Sequence, residues 1–374
     1  MKKPVKLMGA GIAFSICLCA HAQPAPVNRL ANNVTIYGLV DSGVERLTNA
    51  SPTHGGLTRV PTLTGTLPSR LGFRGAENLG GSMWAQFALE TGFAPDTGNL
   101  NQGGRMFGRQ SFVALTGPWG SVSAGRQYEN FYLATLDGSI FGPNAYGLAS
   151  LDPYISAARF DNSVAYLGQF GGFGVGASHS FGRDVATTAA GTVCAGESAT
   201  DKQACKASSL MLKYTTPTWG VASGWSRLNG APTAAGGLRS SSLHDDRATI
   251  NAYYRGDGWK MSAGVIRRDN DGRPTHARSN LYWLEGAYAA TPALSLEAMV
   301  GQLRYAGNAT RDQSTLYAVR ALYSLSKRAA VYATAGRMKN EGLQALSASS
   351  SAAGGAPPAG EGQTGLMVGF RTSF

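Results

Sequence analysis

Three carboxylates, Glu129, Asp137 and Asp152, sit in the segment from Gln127 to Ala158, where Phe131, Tyr132, Leu133, Leu136, Ile140, Phe141, Tyr146, Leu148, Leu151 and Tyr154 supply most of the bulk. A loop this apolar gains by folding against another surface rather than lying in water. Folded inward, it would pack its apolar side on a wall and leave the three acids facing the remaining water path, as fixed charges acting on passing ions. A lid on the outside, or a patch for a partner, is the other arrangement the composition permits. Catalysis has less to draw on. Beyond the first 22 residues the histidines are His54, His179, His244 and His276, and none stands in a motif with a nucleophile or a carboxylate. A Walker loop, a dinucleotide fingerprint and metal-ligand spacing are absent, and Gly171-Gly172-Phe173-Gly174 reads as a turn. The expectation is a protein without enzymatic activity, cofactor or metal.

The elements that must position this loop are strands. The last ten residues alternate strictly: Leu366, Val368, Phe370 and Phe374 fall on one face, and Gly365, Gly369, Arg371 and Ser373 on the other. Residues 34–46 repeat the pattern, with Val34, Ile36, Val40 and Val44 opposite Thr35, Asp41 and Glu45. In 69–77, Leu71 and Phe73 oppose Arg70 and Arg74; in 83–93, Phe87 and Leu89 oppose Gln86 and Glu90. Further strands are predicted over 105–116, 121–126, 162–167, 173–181, 209–214, 221–228, 247–254, 259–268, 279–288, 294–305, 315–324 and 330–339, which with the final strand at 365–374 makes sixteen. Seven short turns alternate with eight longer loops, the turns being rich in Gly, Pro, Asn and Ser. A lipid environment offers the backbone no hydrogen bonds, so strands facing it must close into a barrel. Sixteen strands enclose an aqueous channel where eight would pack solid. Aromatic girdles are expected from Tyr37, Trp84, Trp119, Tyr128, Trp219, Trp225, Trp259, Tyr282, Trp283 and Tyr323 near the strand ends.

The N-terminus agrees with this environment. Lys2, Lys3 and Lys6 precede an apolar run from Leu7 to Cys19 and then Ala20-His21-Ala22, the pattern of a cleaved export signal over residues 1–22. The mature chain, 23–374, would form one barrel domain. Its loss removes three lysines and no acid, which lowers the formal charge from +11 to +8. That excess is scattered as single arginines, unlike the stripe with stacking aromatics that a nucleic-acid surface needs. Cys194 and Cys205 are the cysteines left, ten residues lying between them in a polar loop, and in an exported chain such a pair is expected to form a disulfide.

Several blocks carry a family likeness. Val34-Thr35-Ile36-Tyr37-Gly38-Leu39-Val40-Asp41, Ser69 to Gly81 (SRLGFRGAENLGG), Arg109 to Leu115, Gly125-Arg126-Gln127-Tyr128 and the terminal Phe374 resemble the trimeric general porins of Gram-negative outer membranes, the beta-proteobacterial branch above all. The resemblance implies an all-β, sixteen-stranded antiparallel transmembrane barrel whose third loop folds into the pore opposite a ladder of arginines. Carried over by position, the ladder is Arg70, Arg126 and Arg159, with Arg74 beside it. It implies a homotrimer in outer-membrane lipid and lipopolysaccharide, assembled by the barrel-assembly machinery with Phe370 and Phe374 as its C-terminal signal, passing small hydrophilic solutes and ions. The chain departs from the family where Ile140, not a glutamate, precedes Phe141-Gly142. Fewer acids against several arginines implies a lean toward anions, which Arg105, Arg109, Arg183, Arg267 and Arg371 could reinforce. A substrate-specific channel would share the fold. An adhesive role could rest on the outer loops, especially 194–205 and the low-complexity stretch within 340–363, which is expected to be mobile.

Overall fold

The computed structural model describes residues 33–63, 65–183, 194, 196–232, 234–307, 311–350 and 355–374, so the export signal expected over 1–22 lies outside the described residues. The strands are β1 (Asn33–Leu47), β2 (Leu57–Arg59), β3 (Arg70–Gly80), β4 (Met83–Gly92), β5 (Gln110–Gly117), β6 (Gly120–Tyr128), β7 (Arg159–Phe170), β8 (Phe173–Ser180) and β9 (Ala207–Thr215). There follow β10 (Trp219–Asn229), β11 (His244–Gly256), β12 (Trp259–Asn270), β13 (Arg278–Ala289), β14 (Leu294–Ala306), β15 (Gln313–Ser324), β16 (Ala329–Glu341) and β17 (Gln363–Ser373). From β3 onward each pairs antiparallel with the next. The sheet closes through β1, which pairs with β3 from Asn33↔Ala76 to Leu39↔Arg70 and with β17 from Leu39↔Ser373 to Leu47↔Gly365. Sixteen long strands thus make the closed barrel that the alternation predicts. β2 is a short addition in the first long connection, paired with β1 at Glu45↔Arg59.

Closure leaves no open edge, so the strand backbone finds its partners within the sheet. Seven turns of two to four residues join the strands at one end, and the longer connections lie at the other. The first turn falls at Gly81-Ser82, both with positive φ, after a register shift between Asn78 and Gly80. The predicted strand beginning at Arg105 instead begins at Gln110; the preceding loop makes a short turn, α1 (Asn101–Gly104), with Gln102 and Gly103 in the left-handed region.

The outward face is largely apolar: Val34, Ile36, Val44, Val113, Ile250, Val319 and Val368 are all exposed, while Asp41, Glu45, Arg247 and Asn251 on the opposite face are buried. At the short-turn end, Phe173, Tyr214 and Trp219 pack in sequence at tilted angles, with centroids 4.6 and 5.5 Å apart, and Tyr254 stacks on Trp259 at 5.4 Å. These rings form the girdle. Four of the expected girdle residues do not belong to it. Trp84 is buried; Tyr37, Tyr128 and Trp283 point inward and donate or accept hydrogen bonds there. Strand parity, not nearness to a strand end, decides which way a ring points.

Polar groups also organise the long-loop end. Cys194 and Cys205 are bonded, with Cα atoms 5.7 Å apart, and pack with Ala204, Ala231, Ala234 and Leu238 in a small core of their own. The low-complexity stretch is not the mobile tail its composition suggests over its described residues: Ala348 and Ser349 are buried. Gln363 Oε1 accepts from Ser347 Oγ at 2.7 Å and from the Ala348 N–H at 2.9 Å, while Asn340 Nδ2 donates to the carbonyls of Leu346 and Glu361. Two amide side chains at strand ends satisfy a backbone whose own side chains cannot.

Candidate functional site

The connection from β6 to β7 turns into the barrel. It carries α2 (Asn130–Asp137), a short 3-10 turn at Leu148–Ser150 and α3 (Tyr154–Ala157). Phe131 and Ala134 of α2 are fully buried where the helix packs on β9, β10 and β11. The helix comes close because β10 offers a glycine there: a Cβ on Gly224 would lie 2.8 Å from the Ala134 Cβ and 3.0 Å from the Phe131 Cα. Wall side chains then cap the loop's backbone. Asn251 Nδ2 donates to the Ala134 carbonyl at 3.0 Å and Trp283 Nε1 to that of Gly138 at 2.7 Å. Glu285 accepts from the Ile140 and Phe141 N–H groups and the Ser139 hydroxyl, and Tyr146 donates to Glu45 at 3.0 Å.

The three loop acids do not share one water-facing surface. Glu129 is wholly buried, its carboxylate accepting from the hydroxyls of Tyr154 and Ser226. Burial pushes its carboxyl up to about 7, against the pull of those two hydrogen bonds. Asp152 is also buried, 3.1 Å from Arg247 Nε. Burial would raise it, but the guanidinium of Arg247, with Arg268 behind, holds it below the usual carboxylate range. Asp137 pairs with Lys213 at 3.1 Å. The physical reason is the apolar composition itself: a loop that packs this tightly draws its few acids into the contact, where each needs a donor or a cation.

The arginines behave differently. Arg70, Arg126 and Arg159 converge on one cleft of about 210 Å³, and Arg109 joins them. Across it stand Tyr132, Leu136 and Pro143 of the loop, none of them charged. Arg109 Nε donates to Glu90 at 2.6 Å and its Nη2 to the Tyr128 hydroxyl at 2.6 Å; Arg159 Nη2 reaches the same hydroxyl at 2.8 Å, with its guanidinium 4.4 Å over the Tyr128 ring. Arg70 lies 3.6 Å from Glu90. Arg126 and Arg105 both bind Asp161, the latter at 2.6 Å. Arg74 is not on the cleft; it lies over the Tyr37 ring, nearer the short turns. Arg105 and Arg109, expected from the sequence only as reinforcing arginines, belong to this cluster; Glu90 follows from strand parity, and Asp161 carried no signal of its own. The four histidines are dispersed, His54 beside Asn49, His179 beside Ser208, His244 beside Asp271 and His276 beside Asp312.

Residues 9–343 match the family described as Gram-negative porin. The outer membrane porin protein 32 of Delftia acidovorans is 27% identical over 362 residues, covering 92% of this chain and 94% of its own. An outer membrane porin protein of Bordetella pertussis is 32% identical over 166 residues, 40% of this chain and 43% of its own. Among solved structures, the anion-selective porin from Comamonas acidovorans superposes with a TM-score of 0.74 at 23% identity, over 92% of this chain and 100% of that one.

Proposed function

The chain belongs to the Gram-negative porin family and is an outer-membrane porin, and on that premise we propose that it is a general diffusion channel that prefers anions, narrowed where its third loop faces the arginine wall. One observation carries the reading. Five guanidinium groups, those of Arg70, Arg105, Arg109, Arg126 and Arg159, are grouped around two carboxylates, Glu90 and Asp161, and the loop residues across the cleft add no acid. An excess of one sign in a narrow aqueous gap raises the local concentration of counter-ions and lowers their barrier to passage. Arginine holds that charge across any working pH.

The family transverse field, with loop carboxylates facing wall arginines, is not the arrangement this reading uses, since Glu129 and Asp152 are spent on holding the loop. The Comamonas porin is anion-selective, in keeping with the same chemistry. The wider proposal is a homotrimer in lipid and lipopolysaccharide, exported by residues 1–22 and inserted by the barrel-assembly machinery through Phe370 and Phe374, both of which lie on the exposed outer face.

Liposome swelling with anionic, neutral and cationic solutes of equal size tests the channel. Faster entry of the anion, with the neutral solute between, is expected. Equal rates for all three would leave a porin without charge preference, and no swelling would remove the diffusion channel.

A further inference from the structure

A second piece of chain reaches the same cleft. Thr62, Leu63, Leu67 and Pro68, from the first long connection, line it beside Arg70. They enter the barrel through a fixed set of hydrogen bonds. Asp41, on the inner face of β1 and fully buried, accepts through Oδ2 from the Thr66 N–H at 3.2 Å, the Leu67 N–H at 3.1 Å and the Thr66 hydroxyl; its Oδ1 accepts from the Tyr332 hydroxyl at 2.7 Å. Ser69 Oγ donates to the Asp41 carbonyl at 2.9 Å and accepts from the Asp41 N–H at 3.0 Å. From β15, three strands along the wall from β1, Arg320 Nη1 donates to the Gly65 carbonyl at 2.8 Å. Asn144 of the third loop donates to the Thr66 carbonyl and, at 2.9 Å, to that of Phe141.

A buried carboxylate with this many donors is costly to leave unmet, so the segment that supplies three of them is held where it is. Gly65 makes the approach sterically feasible: a Cβ there would stand 2.4 Å from the Tyr332 ring and 2.7 Å from Met367 Sδ. We infer that the segment leading into β3 is a second, fixed arm of the constriction, and that Asp41 is the positioning residue that sets its depth in the channel. The inference rests on the cleft being the conducting path. Through the bridge from Asn144 to Thr66 the two arms support each other, and the aperture is set by both loops.

The test is Leu67→Cys, recorded as single channels before and after a trimethylammonium methanethiosulfonate is added, in the native background and with Asp41→Asn. Beyond the export signal the chain's own cysteines are the disulfide pair, so the label reports position 67. Expected is a conductance drop of roughly twofold on labelling and a shift of the reversal potential further toward the chloride side, because the label adds a fixed positive charge, with a higher starting conductance and a smaller drop when Asp41 is replaced. Full conductance after labelling confirmed by mass, or no labelling at all, would overturn the second arm. Equal behaviour in both backgrounds would overturn the role of Asp41. Should Asp41→Asn fail to fold, Tyr332→Phe replaces it and removes one donor while keeping the ring. A channel that does not conduct before labelling refutes the porin reading instead of this one.

Discussion

Two clusters of buried charge share the barrel interior, and each stacks an arginine on a tyrosine: Arg159 over Tyr128 at 4.4 Å in the cleft, and Arg247 over Tyr154 at 4.1 Å behind the loop. Their balances differ. Behind the loop, Arg247 and Arg268 face Asp152 and Asp245, two against two, with Arg247 only 1% exposed. At the cleft, Arg70, Arg109, Arg126 and Arg159 line the space and Arg105 joins Arg126 on Asp161, so five arginines stand against two acids, Glu90 and Asp161. Matched charge fixes geometry; excess charge lining an open space acts on what passes. The same residue types thus serve anchoring in one place and selectivity in the other.

The contrast breaks most visibly at Arg247. Arg247→Met leaves Asp152 and Asp245 buried with only Arg268, which should cost about 3–5 kcal/mol, read as a lower unfolding temperature in detergent by the shift between folded and unfolded gel mobility. Adding Asp152→Asn should recover part of it. In the cleft the opposite pattern is expected: Arg126→Gln with Arg159→Gln should move the reversal potential most of the way to zero while the unfolding temperature stays near the parent's. Loss of stability without a change in selectivity would merge the two clusters into one.

Protonation separates them next. With its carboxyl raised to about 7 from an unfolded value near 4.3, Glu129 favours the folded loop when protonated. That contribution, on the order of 3 kcal/mol, is complete below about pH 4 and is lost as pH rises through 7. Protection of the α2 amides, corrected for the intrinsic exchange rate, should therefore fall between about pH 4 and 7, and Glu129→Gln should flatten the dependence. Asp152, held low, gives the reverse trend, losing its contribution as pH falls. The smallest effect on conduction belongs to Cys194→Ser with Cys205→Ser. Unit conductance should be unchanged, while the loop loses up to about 3 kcal/mol of closure stabilisation and becomes open to protease nicking.

The barrel was legible because a strand writes its two faces into alternate residues: Val34, Ile36 and Val44 against Asp41 and Glu45 needed no other information. The wall arginines were legible for the same reason, helped by likeness in the blocks that hold Arg70 and Arg126. The loop acids were not. Composition placed the segment from 127 to 158 against a wall, but whether Glu129 meets water or Ser226 depends on a residue 97 positions away, and no local pattern encodes that pairing. The inward course of Gly65 to Pro68 was hidden likewise, since its anchor, Asp41, reads in sequence as one more inward-facing strand residue.

If the arginine excess in the cleft sets the selectivity, it must show in the reversal potential of the mature protein in a planar bilayer across a tenfold potassium chloride gradient. A potential on the chloride side, collapsing when Arg126 and Arg159 are both made glutamine, is expected. A potential on the potassium side in the native protein would mean that the carboxylates govern the path and that the arginine wall does not.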